Sequence, residues 1–272
     1  MRAANPSGAE REAPVAEALR LHREVRVNEA AAEFIKQLAE AEGPNLRSVV
    51  LYGSAVSGEF HARHSDFNLL CLFDHLDAAT LERIGPATRR WTRKAGAAPL
   101  VFSAAELARA ADVFAVELVD IKANHQVLHG EDLVASLDVP LTLYHLQVER
   151  ELRQNLVRLR SQYLAGDGRP RTLLSLMTAS VSSFAALFRH AAVALGEAPG
   201  EHQKPLKKRE AIDRLATLLD FDGKPFHTVL DVREGKVAAR KLDAAALFHG
   251  YLAAVTRVVD EVDRRLEQRA PV

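Results

Sequence analysis

At 272 residues, with 48% hydrophobic and 26% charged side chains, the chain can build one large domain or two ordinary ones around a proper core. Lys+Arg and Asp+Glu are equal at 36 each, so no global field draws in nucleic acid or an anionic membrane, and any basic site has to be local. The single cysteine, Cys71, lies in the apolar run Leu69-Leu70-Cys71-Leu72-Phe73. That excludes a disulfide framework and a Cys-based zinc site, and it fits a reducing cytoplasm.

Residues 1–26 mix Ala, Pro, Glu and Arg with no apolar stretch of signal-peptide type and read as a flexible tail. Asn28 can cap a helix whose apolar face is Ala31, Phe34, Ile35, Leu38 and Ala39, ended by Gly43-Pro44. Ser48 to Tyr52 is a short β-rich run that stops at Gly53-Ser54. A second strand, Phe67 to Phe73, follows the Ser65-Asp66 turn. Asp77 caps a helix that runs, with one interruption at Gly85-Pro86, to about Lys94. Pro99 to Phe102 reads as a third strand, and Ser103 caps the helix after it. His125 and His129, four apart, suit a helical face, but Gly130 follows at once and no third metal ligand is evident. Strands separated by helices predict a small mixed sheet with helices packed on it.

After Pro140 the strand signal disappears. Leu143, Leu146, Leu152, Leu156, Leu159 and Tyr163 recur at helical spacing. Leu173 to Leu195 approaches membrane-spanning length, yet its Ser175, Thr178, Ser180, Ser182, Ser183, Arg189 and His190 suit the central helix of a soluble bundle, and no membrane is expected as a partner. A helix over Ile212, Leu215, Leu218 and Leu219 follows the Gly196–Pro205 loop, and an amphipathic helix over Ala244–Leu266 closes the pattern. The fold class expected is therefore α+β: a tail over 1–26, a mixed-sheet domain over 27–135 and an all-α helical bundle over 136–272.

Chemistry concentrates in Leu51-Tyr52-Gly53-Ser54 and Ser65-Asp66-Phe67-Asn68-Leu69, with eleven residues between Ser54 and Asp66. A Gly-Ser pair between a strand and a helix lets the backbone approach a phosphate closely, and the Ser54 hydroxyl adds a hydrogen bond. Residues two apart on a strand share a face, so Asp66 and Asn68 project together toward that phosphate site. A carboxylate there can hold Mg²⁺, which takes oxygen ligands and bridges protein to nucleotide phosphates. Structural roles compete with each reading. Gly53-Ser54 also serves as a tight turn, Ser65-Asp66 as turn chemistry, and Asn68 as a plain strand polar residue.

These residues resemble the pattern of the nucleotidyltransferase superfamily, the polymerase beta-like fold: a strand, Gly-Ser, a helix, then a strand with Asp-x-Asp or Asp-x-Glu. The two-domain layout is similar to that of the aminoglycoside nucleotidyltransferases. The resemblance implies nucleotide binding by Gly53, Ser54 and Ser65, and metal binding by Asp66 and Asn68. It also implies Mg²⁺ with a nucleoside triphosphate, ATP being the expected one. In Val148-Glu149-Arg150-Glu151-Leu152, Glu149 stands at the place of the family's general base, which some members supply across a dimer interface, so a homodimer is an open alternative. Catalytic roles fall to Asp66 and Glu149. Alternating acids and arginines on a helix also make an ordinary solvated ion-pair face.

The departure is Asn68, where the family carries a second carboxylate; Pro99-Leu100-Val101-Phe102 supplies no third. An acid in Phe114 to Asp120, either Glu117 or Asp120, is a candidate replacement. Two readings follow. One is a transferase that moves a nucleoside monophosphate from an NTP to a hydroxyl of a small-molecule or protein acceptor. The alternative is a catalytically impaired nucleotide-binding or partner-regulating protein of the same fold. A polymerase-like role has no support, because the chain has no net positive charge, no DNA-binding motif and only 6% aromatics, so nucleic acid is not an expected partner.

Overall fold

The computed structural model describes residues 28–59, 66–95, 97–196 and 205–267. The α+β architecture expected from the sequence is the one observed, a four-stranded mixed sheet with helices and a set of helices without strands. The chain forms two compact units. One ends at Ala111 and resumes over Asp120–Asp138; the other comprises Asp112–Val119 and the chain from Val139 onward.

In the first unit, helix α1 (28–42) precedes strand β1 (Leu46–Tyr52), the single-turn helix α2 (Ser54–Ser57) and strand β2 (Asn68–Phe73). Helix α3 (Ala78–Ala95) crosses to strand β3 (Leu100–Ser103). Helix α4 (Ala104–Arg109) and helix α5 (Ala115–Ala123), whose residues up to Val119 belong to the second unit, lead to strand β4 (His125–Gly130). The sheet order is β3-β2-β1-β4. β1 pairs antiparallel with β2 and β4, and β2 pairs parallel with β3, the one connection that needs a helical crossover.

The apolar run of β2 is explained by burial on both sides. Phe67, Leu69, Cys71 and Phe73 join Val49 in a cluster with Phe34 and Leu38 of α1 and Ile84 and Trp91 of α3, where Phe34 stacks on Trp91 at 5.6 Å. Leu70 and Leu72, of opposite parity, are fully buried too, as is Val50. Burial pushes the free Cys71 thiol up to about 12, so it is a packing residue.

Two of the expected caps, Asp77 and Ser103, are formed. The Thr80 amide donates to Asp77 Oδ1 at 2.8 Å, and Ser103 forms a reciprocal capping box with Glu106. The break expected at Gly85-Pro86 does not occur, and α3 runs through Pro86. The buried face Thr80, Ile84, Ala87, Trp91 and Ala95 continues at spacings of three and four across the proline. Its packing outweighs a local cost of roughly 3 kcal/mol. The helical reading of His125 and His129 is also overturned. Both lie on β4, opposite Tyr52 and Val49 of β1. The strand is specified by pairing with β1 rather than by its own composition.

In the second unit, α6 (Tyr144–Ala165), α7 (Pro170–Ala194), α8 (Lys208–Leu219), α9 (Lys224–Arg233) and α10 (Ala244–Glu267) enclose one core. Helix α7 is central, packed by α6, α8, α9 and α10, with Met177, Val181, Phe184, Ala185, Phe188 and Ala191 fully buried. Among the described residues it alone is long and apolar enough to cross a membrane. Its buried residues pack on the other helices of the unit. Helix α9 is an addition to the expected elements; its Phe226 sits 4.9 Å from Phe188 and 4.5 Å from Tyr251, ring centre to ring centre.

Candidate functional site

Gly53 caps α2 with φ 81° and ψ −145°, a region that a side chain makes costly. Gly58 closes the same turn of helix in the left-handed region at φ 77°. Between them the carbonyl of Gly53 accepts from the Val56 and Ser57 amides, both at 3.0 Å. The chain thus leaves β1, makes one helical turn starting at Ser54, and exits at a second glycine.

Register brings β2 to this turn. Tyr52, the last residue of β1, faces Asn68, the first residue of β2. A Cβ built on Gly53 would lie 3.2 Å from the Asn68 carboxamide and, among the described residues, within 4 Å of no other non-adjacent atom. Asp66 is exposed, Phe67 buried and Asn68 half-buried. This alternation sets Asp66 and Asn68 opposite the face on which Phe67 joins the core. Four of the expected residues, Gly53, Ser54, Asp66 and Asn68, are therefore gathered at one end of the β1–β2 ladder. Ser65 lies outside the described residues.

Glu149 has a different setting. It lies on α6 in the second unit and accepts from Arg153 Nε at 2.7 Å, while Arg153 also pairs with Asp263 at 2.5 Å. The two acids raise the Arg153 guanidinium above its ordinary range, chiefly through the Glu149 hydrogen bond. The ion-pair role is the one this geometry displays. Of the candidate replacement acids, Glu117 is exposed on α5 and Asp120 is half-buried.

One neighbour was not legible in the sequence. His125 pairs with Tyr52 as Tyr52 pairs with Asn68, so the three residues form a row across β4, β1 and β2 on one face. His125 Nδ1 lies 3.1 Å from the carbonyls of Ile121 and Lys122, and Nε2 lies 3.0 Å from Asp132 Oδ1. The Ala135 amide, and then His125, hold the Asp132 carboxyl below its usual range. The signal that could have found this row is the β-pairing of His125, which only the fold supplies.

A metal is fitted only in part. Among the described residues no group of three His, Cys, Asp or Glu converges on a point. On the face shared with Asn68, β3 carries Leu100 and Phe102, paired with Leu70 and Leu72. Asp66 offers one carboxylate to any ion bound there. A pair of ions lacks the charge it needs. A concave surface among the described residues, at the opposite end of β1, is lined by Glu42, Asn45, His75, Asp77 and Arg83. Its polar groups are committed to one another: Arg83 Nε donates to Glu42 at 2.6 Å, and Asn45 bonds Glu42 and the His75 backbone.

No protein-family model matches the chain, and no curated protein does. Among solved structures, spectinomycin adenyltransferase AAD(9) from Enterococcus faecialis, solved with ATP and spectinomycin, is similar at 13% identity and a TM-score of 0.47, over 88% of this chain and 99% of that one. A likeness at that level assigns neither substrate nor activity to this chain.

Proposed function

We propose that the Gly53 turn and the start of β2 bind the triphosphate of a nucleotide, ATP being the expected one. On this reading the chain transfers the nucleoside monophosphate to a hydroxyl of a small-molecule or protein acceptor. The observation that carries the reading is the approach of Asn68 to Gly53 with Asp66 two residues before it. A glycine that cannot bear a side chain, a serine at the first turn and an exposed carboxylate are what a phosphate site needs at close range. A Mg²⁺ ion held by Asp66 and the phosphates would supply charge compensation as pyrophosphate leaves.

The chain's own residues divide the remaining work. Ser54 donates its hydroxyl to a phosphate oxygen, and the Gly53 backbone lets the triphosphate lie against the turn. The acceptor oxygen attacks the α-phosphorus, the bond to pyrophosphate breaks, and the acceptor proton goes to a base. Glu149 is the proposed base.

The test is transfer of label from α-labelled ATP to a panel of hydroxylated small molecules and proteins, with pyrophosphate release measured in parallel. Wild-type protein is expected to label an acceptor and Asp66→Ala to abolish it. Nucleotide binding with no pyrophosphate release across the panel would instead support the catalytically impaired reading.

A further inference from the structure

We infer that His125 is a proton-operated latch: as the imidazolium it ties the last turn of α5 to the segment 131–138, and as the neutral ring it lets that segment go. The inference is independent of the nucleotide reading. The chain passes between the two units before Asp112, before Asp120 and after Asp138. His125 closes the stretch between the last two crossings by joining Ile121 and Lys122 to Asp132, all within the first unit.

The ring is held by four oxygens. Nδ1 lies 3.1 Å from the Ile121 and Lys122 carbonyls, and Nε2 lies 3.0 Å and 3.2 Å from the two Asp132 carboxyl oxygens. These contacts fix the orientation, because turning the ring over would set carbon against all four. A carbonyl and a carboxylate only accept, so each ring nitrogen carries a hydrogen, and a ring with two N–H groups is the cation. Asp132 does not supply the missing proton. The Ala135 amide donates to its Oδ1 at 2.9 Å and, ahead of His125, holds the carboxyl below its usual 3.8. The two carbonyls belong to the C-terminal turn of α5, where positive charge is also favoured.

The other ionisable groups around the ring are Tyr52 opposite it on β1, Asp120 and Lys122 in the last turn of α5, and Glu131 and Asp138 in the segment itself. Lys122 donates to the Leu137 carbonyl at 2.6 Å, and Glu131 pairs with Arg47 at 2.8 Å. Lys122 thus anchors the far end of the segment whatever the state of the ring, and His125 controls the near end. A neutral ring has one N–H for two sets of acceptors. If it keeps Nδ1–H on α5, it turns a lone pair toward the Asp132 carboxylate, and that end is released.

Amide hydrogen exchange of the full chain, read by mass spectrometry and corrected for intrinsic rates, tests the latch at about pH 5.5 and about pH 8, on either side of the range where imidazoles change charge. Nitrogen NMR of the histidine rings reads the proton, with the His125 signal assigned from His125→Gln or, should that variant not fold, from its shift in Asp132→Asn. Wild type is expected to hold the imidazolium at the lower pH and to protect residues 131–138 about tenfold more there than at the higher. β1 and β2 are expected to stay unchanged. Asp132→Asn is expected to reverse the sign: its carboxamide oxygen still accepts from Ala135, and its N–H₂ donates to the neutral ring, so protection is greater at the higher pH. A neutral His125 ring at the lower pH, equal protection of 131–138 at both, or an Asp132→Asn variant with the wild-type sign overturns the proposal. A change of equal size in β1 and β2 does so too, since it reports the stability of the whole unit.

Discussion

In the first unit two of the glycines with positive φ stand where a methyl group would strike something. At Gly130 it would lie 1.9 Å from the Arg47 carbonyl oxygen, and at Gly53 it would lie 3.2 Å from the Asn68 amide, both at positive φ. In the second unit Gly168 and Gly235 also have positive φ, but a Cβ there meets no described atom within 4 Å; the crowded glycines there, Gly223 and Gly250, have no positive φ and would meet side chains of Ile212 and Pro225 at 3.1 Å. What is crowded in that unit is side chains: Phe188, Phe226, Phe248 and Tyr251 are all at most 1% exposed. The sheet unit is thus specified at a few points of backbone geometry, and one of these is the candidate site. The helical unit is specified by the volume of its core.

The comparison breaks most sharply at Phe226. Truncation to Ala leaves a cavity among three aromatic rings and is expected to cost about 3–5 kcal/mol of unfolding free energy, read from denaturant melts. Gly130→Ala comes next. It forces a strained φ and displaces the Arg47 carbonyl, which also accepts from the Glu131 amide at 3.2 Å; the expected loss is about 2–3 kcal/mol. If Gly168→Ala cost as much, the contrast between crowded and open glycines would fail. Its strain alone is expected to cost about 1 kcal/mol.

A smaller effect concerns pH. Arg264, and then Arg265, hold the Glu261 carboxyl down at about 2, below its usual 4.5. A carboxyl that is a stronger acid when folded contributes stability that is complete above about 4.5 and is lost as pH falls from there toward 2. Glu261→Gln is expected to flatten the fall in stability across that window while destabilising the protein at neutral pH. An unchanged acid limb would show that the ion cluster contributes nothing. The smallest effect is at Arg153→Ala. Half-exposed, it is expected to cost under about 1 kcal/mol despite its two acidic partners.

Legibility followed the same division. Helical spacing in Leu152, Leu156 and Leu159, and in Ile212, Leu215 and Leu219, was enough to find α6 and α8, because each turn repeats the same demand for burial. The first three strands were found from β-rich runs ended by Gly, Pro or Asp. Helix α9 was missed, as its apolar positions Phe226, Val229 and Leu230 cover barely two turns. β4 was missed because His125-Gln126-Val127-Leu128-His129 has no alternation, and its partner β1 is some 75 residues earlier in the chain. At the candidate site, Gly53, Ser54, Asp66 and Asn68 were legible because turn chemistry is local. The row from Asn68 through Tyr52 to His125 was not, since it depends on strand register.

The most direct measurement is amide hydrogen exchange with and without ATP, followed by mass spectrometry of peptides across both units. A nucleotide site formed by the glycine turn and the start of β2 predicts slowed exchange over residues 53–58 and 66–69, and none in the groove of Glu42, Asn45 and Arg83. ATP that leaves 53–58 and 66–69 unchanged while protecting that groove, or any other segment, would contradict the account.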